Sequence, residues 1–296
     1  MPVSDTTVGV VGLGEIGRGL ASSIQKAGMR LAVYDVRPEA TRQFAASADV
    51  CRDLDAIGRA ARVLVVAVLT DEQVLDVLDR GTGALAAMAE GSTVVLVSTV
   101  SIDTVRQVAE WAGDRGVGVV DCGVSGGATA AAEGHLVAMV GGSDEDIESA
   151  RPAIEAFSEL VVRMGPIGSG QRAKLARNLI QYGSWLAAFE GQRLAEAAGI
   201  DLSKLAEVVR VSDRRIGGVS TLMFRSTTAP FSEADDAALV AAMTSAATLA
   251  HKDLGAAIAL GRELGVDLPA AELADSYADA VFGVGPTPPR PEGELS

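Results

Sequence analysis

A lysine and two carboxamides share one stripe of the segment GSGQRAKLARNLIQYG, residues 168–183. In an α-helix Lys174, Asn178 and Gln181 fall on one face. Around them stand Ala173, Leu175, Ala176, Leu179, Ile180, Tyr182, Trp185 and Leu186, the composition of a helix built for burial. An ammonium on such a helix has two uses. It snorkels, laying its stem on apolar surface with the charge in water. Or burial and nearby cations bring its pKa toward working pH, and it moves protons. Only four of the 25 basic residues are lysines: Lys26, Lys174, Lys204 and Lys252. A chain that uses the titratable ammonium so sparingly gives a slight preference to chemistry at one of them. The stripe taken alone still favours snorkelling.

A second chemistry is written in VGVVGLGEIGRGLASSIQKAG. A bare GxGxxG is a weak signal in a chain with 33 glycines. Here it follows a Val-rich run and opens a helical one, and Asp35 closes the next Val-rich run, 23 residues after Gly12. That full context is the dinucleotide fingerprint. Gly12 permits the tight turn, Gly14 lets backbone approach a pyrophosphate at the helix N-terminus, and Gly17 allows close helix–strand packing. Leu13, Glu15 and Ile16 fill the cradle between them. Asp35 is placed to accept from adenosine ribose hydroxyls and to repel a 2′-phosphate, so NAD is the expected coenzyme. Arg37, just past the strand, is of the type that binds that phosphate, which keeps NADP as the alternative; its other reading is a solvated surface charge.

A third stretch, DCGVSGGATAAAEGHLVAMVGG, offers the Ser125 hydroxyl and the backbone N–H groups of Gly126 and Gly127 with no bulky side chain nearby. Such a loop can wrap a carboxylate. By itself it is equally a turn. Its place after a strand, at the carboxyl edge of a sheet where ligands gather, favours the anion site.

These groups need a scaffold. The first half alternates Val/Leu runs at 7–12, 30–36, 62–68, 92–98, 116–122 and 136–142 with helical stretches. Continuous apolar runs suit strands buried on both faces, and their alternation with helices implies a parallel sheet covered on both sides. No strand run follows LVVRMG at 160–165. The chain becomes rich in Ala, Leu, Glu and Arg at helical spacing, with one helix predicted from about Ser169 to Ala198, roughly 45 Å long, and stopped by Gly199. Further helices are predicted near 202–212, 233–249, 251–264 and 268–281. The expectation is an α/β fold: a Rossmann-type domain over 1–165, an all-helical substrate and oligomerisation domain over 166–284 joined by the long helix, and a Pro-rich tail over 285–296.

Composition narrows the partners. The chain has 296 residues, 48% apolar and 22% charged, enough for a sizeable core. A net charge of −14 disfavours nucleic acid, which requires clustered Lys and Arg, but not a small anion in a locally positive pocket. Cys51 and Cys122 are too few for a disulfide framework, and Cys122 reads as a small core residue. His135 and His251 lack companions at metal-ligand spacing, so no metal is expected and both read as structural or surface residues. The start MPVSDTTVGV has no basic, apolar leader pattern, and no run of about 18 apolar residues suits a membrane span. A cytoplasmic protein is the default.

Four segments together resemble the β-hydroxyacid dehydrogenase family, which includes 3-hydroxyisobutyrate, tartronate semialdehyde and 6-phosphogluconate dehydrogenases. They are GLGEIGRGLASSIQKAG, with Ile16 for the usual Met; DCGVSGG with the following GHLVAMVGG; Gly168 to Asn178 with Lys174 at its centre; and Lys252-Asp253-Leu254 followed by Gly265 and Pro269. The resemblance implies a face of the long helix turned to a cleft between two domains, Lys174 as catalytic acid/base and Asn178 as its substrate-binding neighbour. It implies substrate carboxylate at Ser125, Gly126 and Gly127, nicotinamide contacts at Val68, Leu69 and Thr99, and Lys252 near both ligands. For Val68, Leu69 and Thr99 packing and capping remain the other reading, and for Lys252 a helix-surface charge. It also implies oligomers, a homodimer or homotetramer. Arg177 replaces a usual Asn. Gln181 stands where the decarboxylating branch has a carboxylic acid, which disfavours decarboxylation. Gly123 replaces a Pro, which is expected to loosen the substrate loop. The expected activity is hydride transfer between NAD(P) and a small 3-hydroxy acid. The alternatives are an imine reductase of the same architecture, against which Lys174 argues, and a cofactor-binding protein without turnover.

Overall fold

The computed structural model describes residues 6–289. The end of the Pro-rich tail and the first five residues of the start lie outside that range. By its internal contacts the chain divides into two compact units, one ending at Asn178 and one beginning at Leu179.

In the first unit eight strands form one sheet: β1 Thr7–Val11, β2 Arg30–Tyr34, β3 Asp49–Val50, β4 Val63–Val66, β5 Thr93–Leu96, β6 Gly118–Ser125, β7 Leu136–Gly141 and β8 Ser158–Gly165. Their spatial order is β3-β2-β1-β4-β5-β6-β7-β8. The first six follow the doubly wound arrangement, with the direction of winding reversing between β1 and β4. Helices connect them: α1 Glu15–Lys26, α2 Pro38–Thr41, α3 Leu54–Ala60, α4 Asp71–Val77, α5 Ala84–Ala87, α6 Ile102–Gly113, α7 Gly127–Glu133 and α8 Asp144–Glu155.

The Val-rich runs behave as two-sided strands. Along β4, Val63 and Val65 enter one core and Leu64 and Val66 the other; along β5, Val95 and Val97 oppose Val94 and Leu96. Period-2 alternation sends neighbours to opposite faces, so a strand covered on both sides must be apolar throughout. Each such fully buried side chain contributes about 1.5–3 kcal/mol relative to exposure.

One expectation needs correction. The sheet is not wholly parallel, because β6 and β7 pair antiparallel with Asp121 opposite Gly141 and Ser125 opposite Val137. Ten residues separate these strands, and a parallel crossover takes a dozen or more. The chain instead turns back through the short α7, which lies against α1: a Cβ on Gly19 would stand 2.7 Å from that of Ala131, and the Ser23 hydroxyl donates to the Ala131 carbonyl at 2.8 Å.

A single helix, α9 Ser169–Ala197, runs as expected and ends where Gly199 takes φ +75°. It is followed by α10 Leu202–Ile216, α11 Ala237–Leu264 and α12 Pro269–Val281. The two helices predicted over 233–264 are thus one, since nothing between Thr244 and Lys252 breaks a helix. In the second unit, Glu190 of α9 is buried and accepts the Ala270 and Ala271 N–H groups, capping α12. The apolar stripe of α9 is not buried within this single chain: Leu179, Tyr182, Trp185 and Phe189 are all more than half exposed. Among the described residues no helix is long and apolar enough to cross a membrane.

His251 on α11 is not an isolated surface residue. Its ring bridges Asp275 at 2.7 Å and Asp279 at 3.3 Å, both on α12. Hydrogen bonds that the protonated ring donates to these carboxylates, Asp275 first, raise its pKa above the ordinary histidine value. A folded pKa above the unfolded one gives stability that is full below about pH 6.5 and lost as pH rises through the folded value. The thermal midpoint is therefore expected to fall across that window in the wild type. In His251→Gln this component of the pH dependence should be missing, as differential scanning fluorimetry at a series of pH values will show.

Candidate functional site

The dinucleotide cradle is built as its glycines require. Gly12 has φ +87°, donates its N–H to the Tyr34 carbonyl at 3.0 Å, and a Cβ there would meet the Ala67 carbonyl at 2.6 Å. A Cβ on Gly17 would collide with the Gly12 carbonyl, whereas one on Gly14 would meet nothing within 4 Å. Gly14 is the N-cap of α1 and no side chain caps that terminus. Open space before an uncapped helix N-terminus fits a pyrophosphate. Ile16 packs on the core, Leu13 is buried, and Glu15 lies in the exposed first turn.

Asp35 stands just past β2, its side chain almost wholly buried. It accepts the Leu13 N–H at 2.7 Å, the Arg37 N–H at 2.8 Å, and two bonds from the Arg37 guanidinium at 3.1 and 3.2 Å. Burial pushes the acid up, but the Arg37 and Leu13 bonds outweigh it and hold the group below the ordinary carboxylate value. Arg37 is thus an ion-pair partner rather than a free surface charge. Asp35 and Arg37 line a cavity of about 510 Å³ together with Gly12, Gly14, Val68 and Leu69. Leu69 and Val36 are more than three-quarters exposed along it. A carboxylate at one end, apolar walls and an open glycine turn fit an adenosine diphosphate.

The second cluster lies at the start of α9. The Asp121 carboxylate, on β6, is fully buried and accepts the Gly168 N–H at 2.6 Å and the Gln171 N–H at 2.7 Å. Burial pushes this acid up against those bonds. The sheet and α9 meet through glycines: a Cβ on Gly170 would meet the Asp121 carbonyl at 2.5 Å, and one on Gly123 would stand 2.5 Å from the Cβ of Lys174. Gly123 is therefore a close-approach residue inside a paired strand, not a loosened loop position. Ser125, two residues on, turns toward the same face of β6 as Gly123. Gly126 and Gly127 follow with φ +140° and +79°, and the space over Gly127 is open.

Lys174 is half-buried, as are Arg177 and Asn178. Burial, and then the charge of Arg177, hold the Lys174 ammonium below the ordinary lysine value. Cys122 is wholly buried, and its thiol is pushed up by that burial and by Asp121, so it is a core residue. Thr99 is exposed, just past β5. Lys252 lies in the second unit, largely exposed and 3.1 Å from Asp253. Among the described residues no group of three or more His, Cys, Asp or Glu side chains could hold a metal.

Asp121 and Gln171 carry the geometry yet were not singled out in sequence. Both stand inside quoted motifs, but their partners lie 47 to 73 residues away, and no local pattern announces them.

Comparison with known proteins gives the family. The family model of the NAD binding domain of 6-phosphogluconate dehydrogenase matches residues 7–165, and that of the NAD-binding domain of NADP-dependent 3-hydroxyisobutyrate dehydrogenase matches 168–284. An uncharacterized oxidoreductase of Mycobacterium tuberculosis is 38% identical over 97% of this chain and 95% of its own. The NAD-dependent L-serine dehydrogenase of Pseudomonas aeruginosa is 33% identical over 69% of each. Among solved structures, a putative oxidoreductase from Mycobacterium avium has a TM-score of 0.86 and 35% identity, over 94% of this chain and 98% of that one.

Proposed function

The chain belongs to the β-hydroxyacid dehydrogenase family, an NAD(P)-dependent group of oxidoreductases, and from that premise we propose that it interconverts a small 3-hydroxy acid and its aldehyde or ketone without decarboxylation. The observation that carries the reading is the half-buried Lys174, whose side-chain stem lies against Gly123 of the strand that ends in Ser125 and whose pKa is lowered.

The coenzyme, when bound, supplies hydride exchange at the carbinol carbon. The protein's part is to hold the substrate and manage its proton. The Ser125 hydroxyl and the Gly126 and Gly127 N–H groups hold the carboxylate. Lys174 takes the hydroxyl proton in oxidation and returns it in reduction, and its lowered pKa brings it nearer to working both ways. Asn178, one turn on along the same face, donates its amide to the substrate. Gln181, a carboxamide, is too weak an acid to protonate an enediol, which supports a reaction that ends at the carbonyl without decarboxylation.

NAD is the preferred coenzyme in this reading, supported by the buried carboxylate of Asp35. A homodimer or homotetramer is part of it too, supported by the exposed stripe of α9, which a second copy would cover.

Lys174→Ala should lower kcat/KM by about 10²–10⁴-fold while coenzyme still quenches tryptophan fluorescence; near-normal turnover on a panel of short 3-hydroxy acids would remove Lys174 from its role. Steady-state kinetics with both coenzymes should favour NAD, and an advantage to NADP of about tenfold, some 1.4 kcal/mol, would reverse the preference. Light scattering should read a dimer or tetramer, and a monomer at micromolar concentration would refute the assembly.

A further inference from the structure

Gln171 lies in the first turn of α9, three residues before Lys174, and is wholly buried. Its backbone is held by Asp121, and its side-chain Nε2 donates to the Ser98 carbonyl at 2.7 Å. Ser98 accepts the Val68 N–H on its hydroxyl at 2.9 Å. One carboxamide thus ties α9 to the chain leaving β5, and through Ser98 to the chain leaving β4. Those two segments carry Thr99, Val68 and Leu69. The other end of the carboxamide, Oε1, is buried with no protein partner. A half-satisfied buried amide is unfavourable, and a leucine would fill similar volume without that penalty. The position keeps a donor nonetheless, and what that donor holds is the spacing of two segments.

Resting on the dehydrogenase reading, we propose that Gln171 is a positioning residue whose carboxamide sets the distance between the helix turn bearing Lys174 and the strand ends that face the nicotinamide. Proton and hydride must leave one carbinol together, so an error of an ångström in this spacing falls on the rate more than on binding.

Two variants test this. Gln171→Leu removes the donor. It should fold, bind coenzyme within about threefold of wild type, and lose at least about tenfold in kcat. Hydrogen–deuterium exchange should quicken in peptides covering 66–70 and 97–100. Gln171→Glu donates to Ser98 only when its carboxyl is protonated. Followed in the reductive direction, its kcat relative to wild type should therefore climb as pH falls. Three results overturn the proposal: a folded Gln171→Leu with kcat within about twofold of wild type and unchanged exchange, a pH-independent Gln171→Glu ratio, or failure of both variants to fold, which marks a purely structural residue. If the wild type binds coenzyme but turns over no 3-hydroxy acid, the dehydrogenase reading fails instead. The exchange measurement then decides by itself whether Gln171 holds the two segments.

Discussion

The buried carboxylate of Asp121 is the constraint on which the rest of the site depends. It sits in β6, and its two oxygens accept from the residues that begin α9. A charged acceptor at a helix N-terminus meets orphan N–H donors and the positive end of the helix dipole at once. Each such bond contributes about 1.5–3 kcal/mol, and losing one leaves a buried charge under-satisfied. The first turn of α9 therefore cannot slide along the sheet without large loss. Lys174 follows one turn later, and Ser125 lies four residues along the same strand as the carboxylate. The ammonium of the long helix and the loop that begins at Ser125 are thus referred to one fixed point.

Close packing then turns this constraint into a shape. Gly123, Gly141 and Gly170 all stand where a methyl group would strike Asp121, Lys174 or the adjoining backbone. Without them α9 would be held off the sheet, and the hydrogen bonds to Asp121 would lengthen beyond use. On the other side of the first unit, α7 rests on α1 through Gly19, Ala131 and Ser23. The helix that follows the Ser125–Gly127 loop thus packs on the helix that begins at the glycine turn, so the two loops are braced against each other as well as against the strands.

Most of the fold was legible because its signals are local. Two-sided burial writes Val-rich runs, and the helix stop at Gly199 writes itself in one residue. The direction of β7 is not written that way, since a strand's composition is the same run forward or backward; only the ten-residue connection carried the clue. α11 is one helix where two are expected, because the polar residues near its middle resemble a break, although no Gly or Pro stands between Thr244 and Lys252. In the site, the glycine turn and Asp35 follow a spacing rule and were visible. The capping by Asp121, the tie through Gln171 and the pairing of His251 with α12 all join residues distant in sequence, so only the folded chain shows them. Gly123 differs from expectation for the same reason: a glycine in place of a proline looks like added freedom until the helix lying on it is seen.

The ion pair at the end of β2 has a thermodynamic corollary. All four acceptor positions of Asp35 are occupied by donors of the chain itself. A ribose that engages this carboxylate therefore substitutes for a guanidinium, and one set of charge-assisted bonds is exchanged for another. The net enthalpy of anchoring the adenosine end is then a small remainder of two large quantities. Were coenzyme discrimination to rest on that remainder, drift at a single neighbouring position could invert it while the rest of the molecule stays as it is.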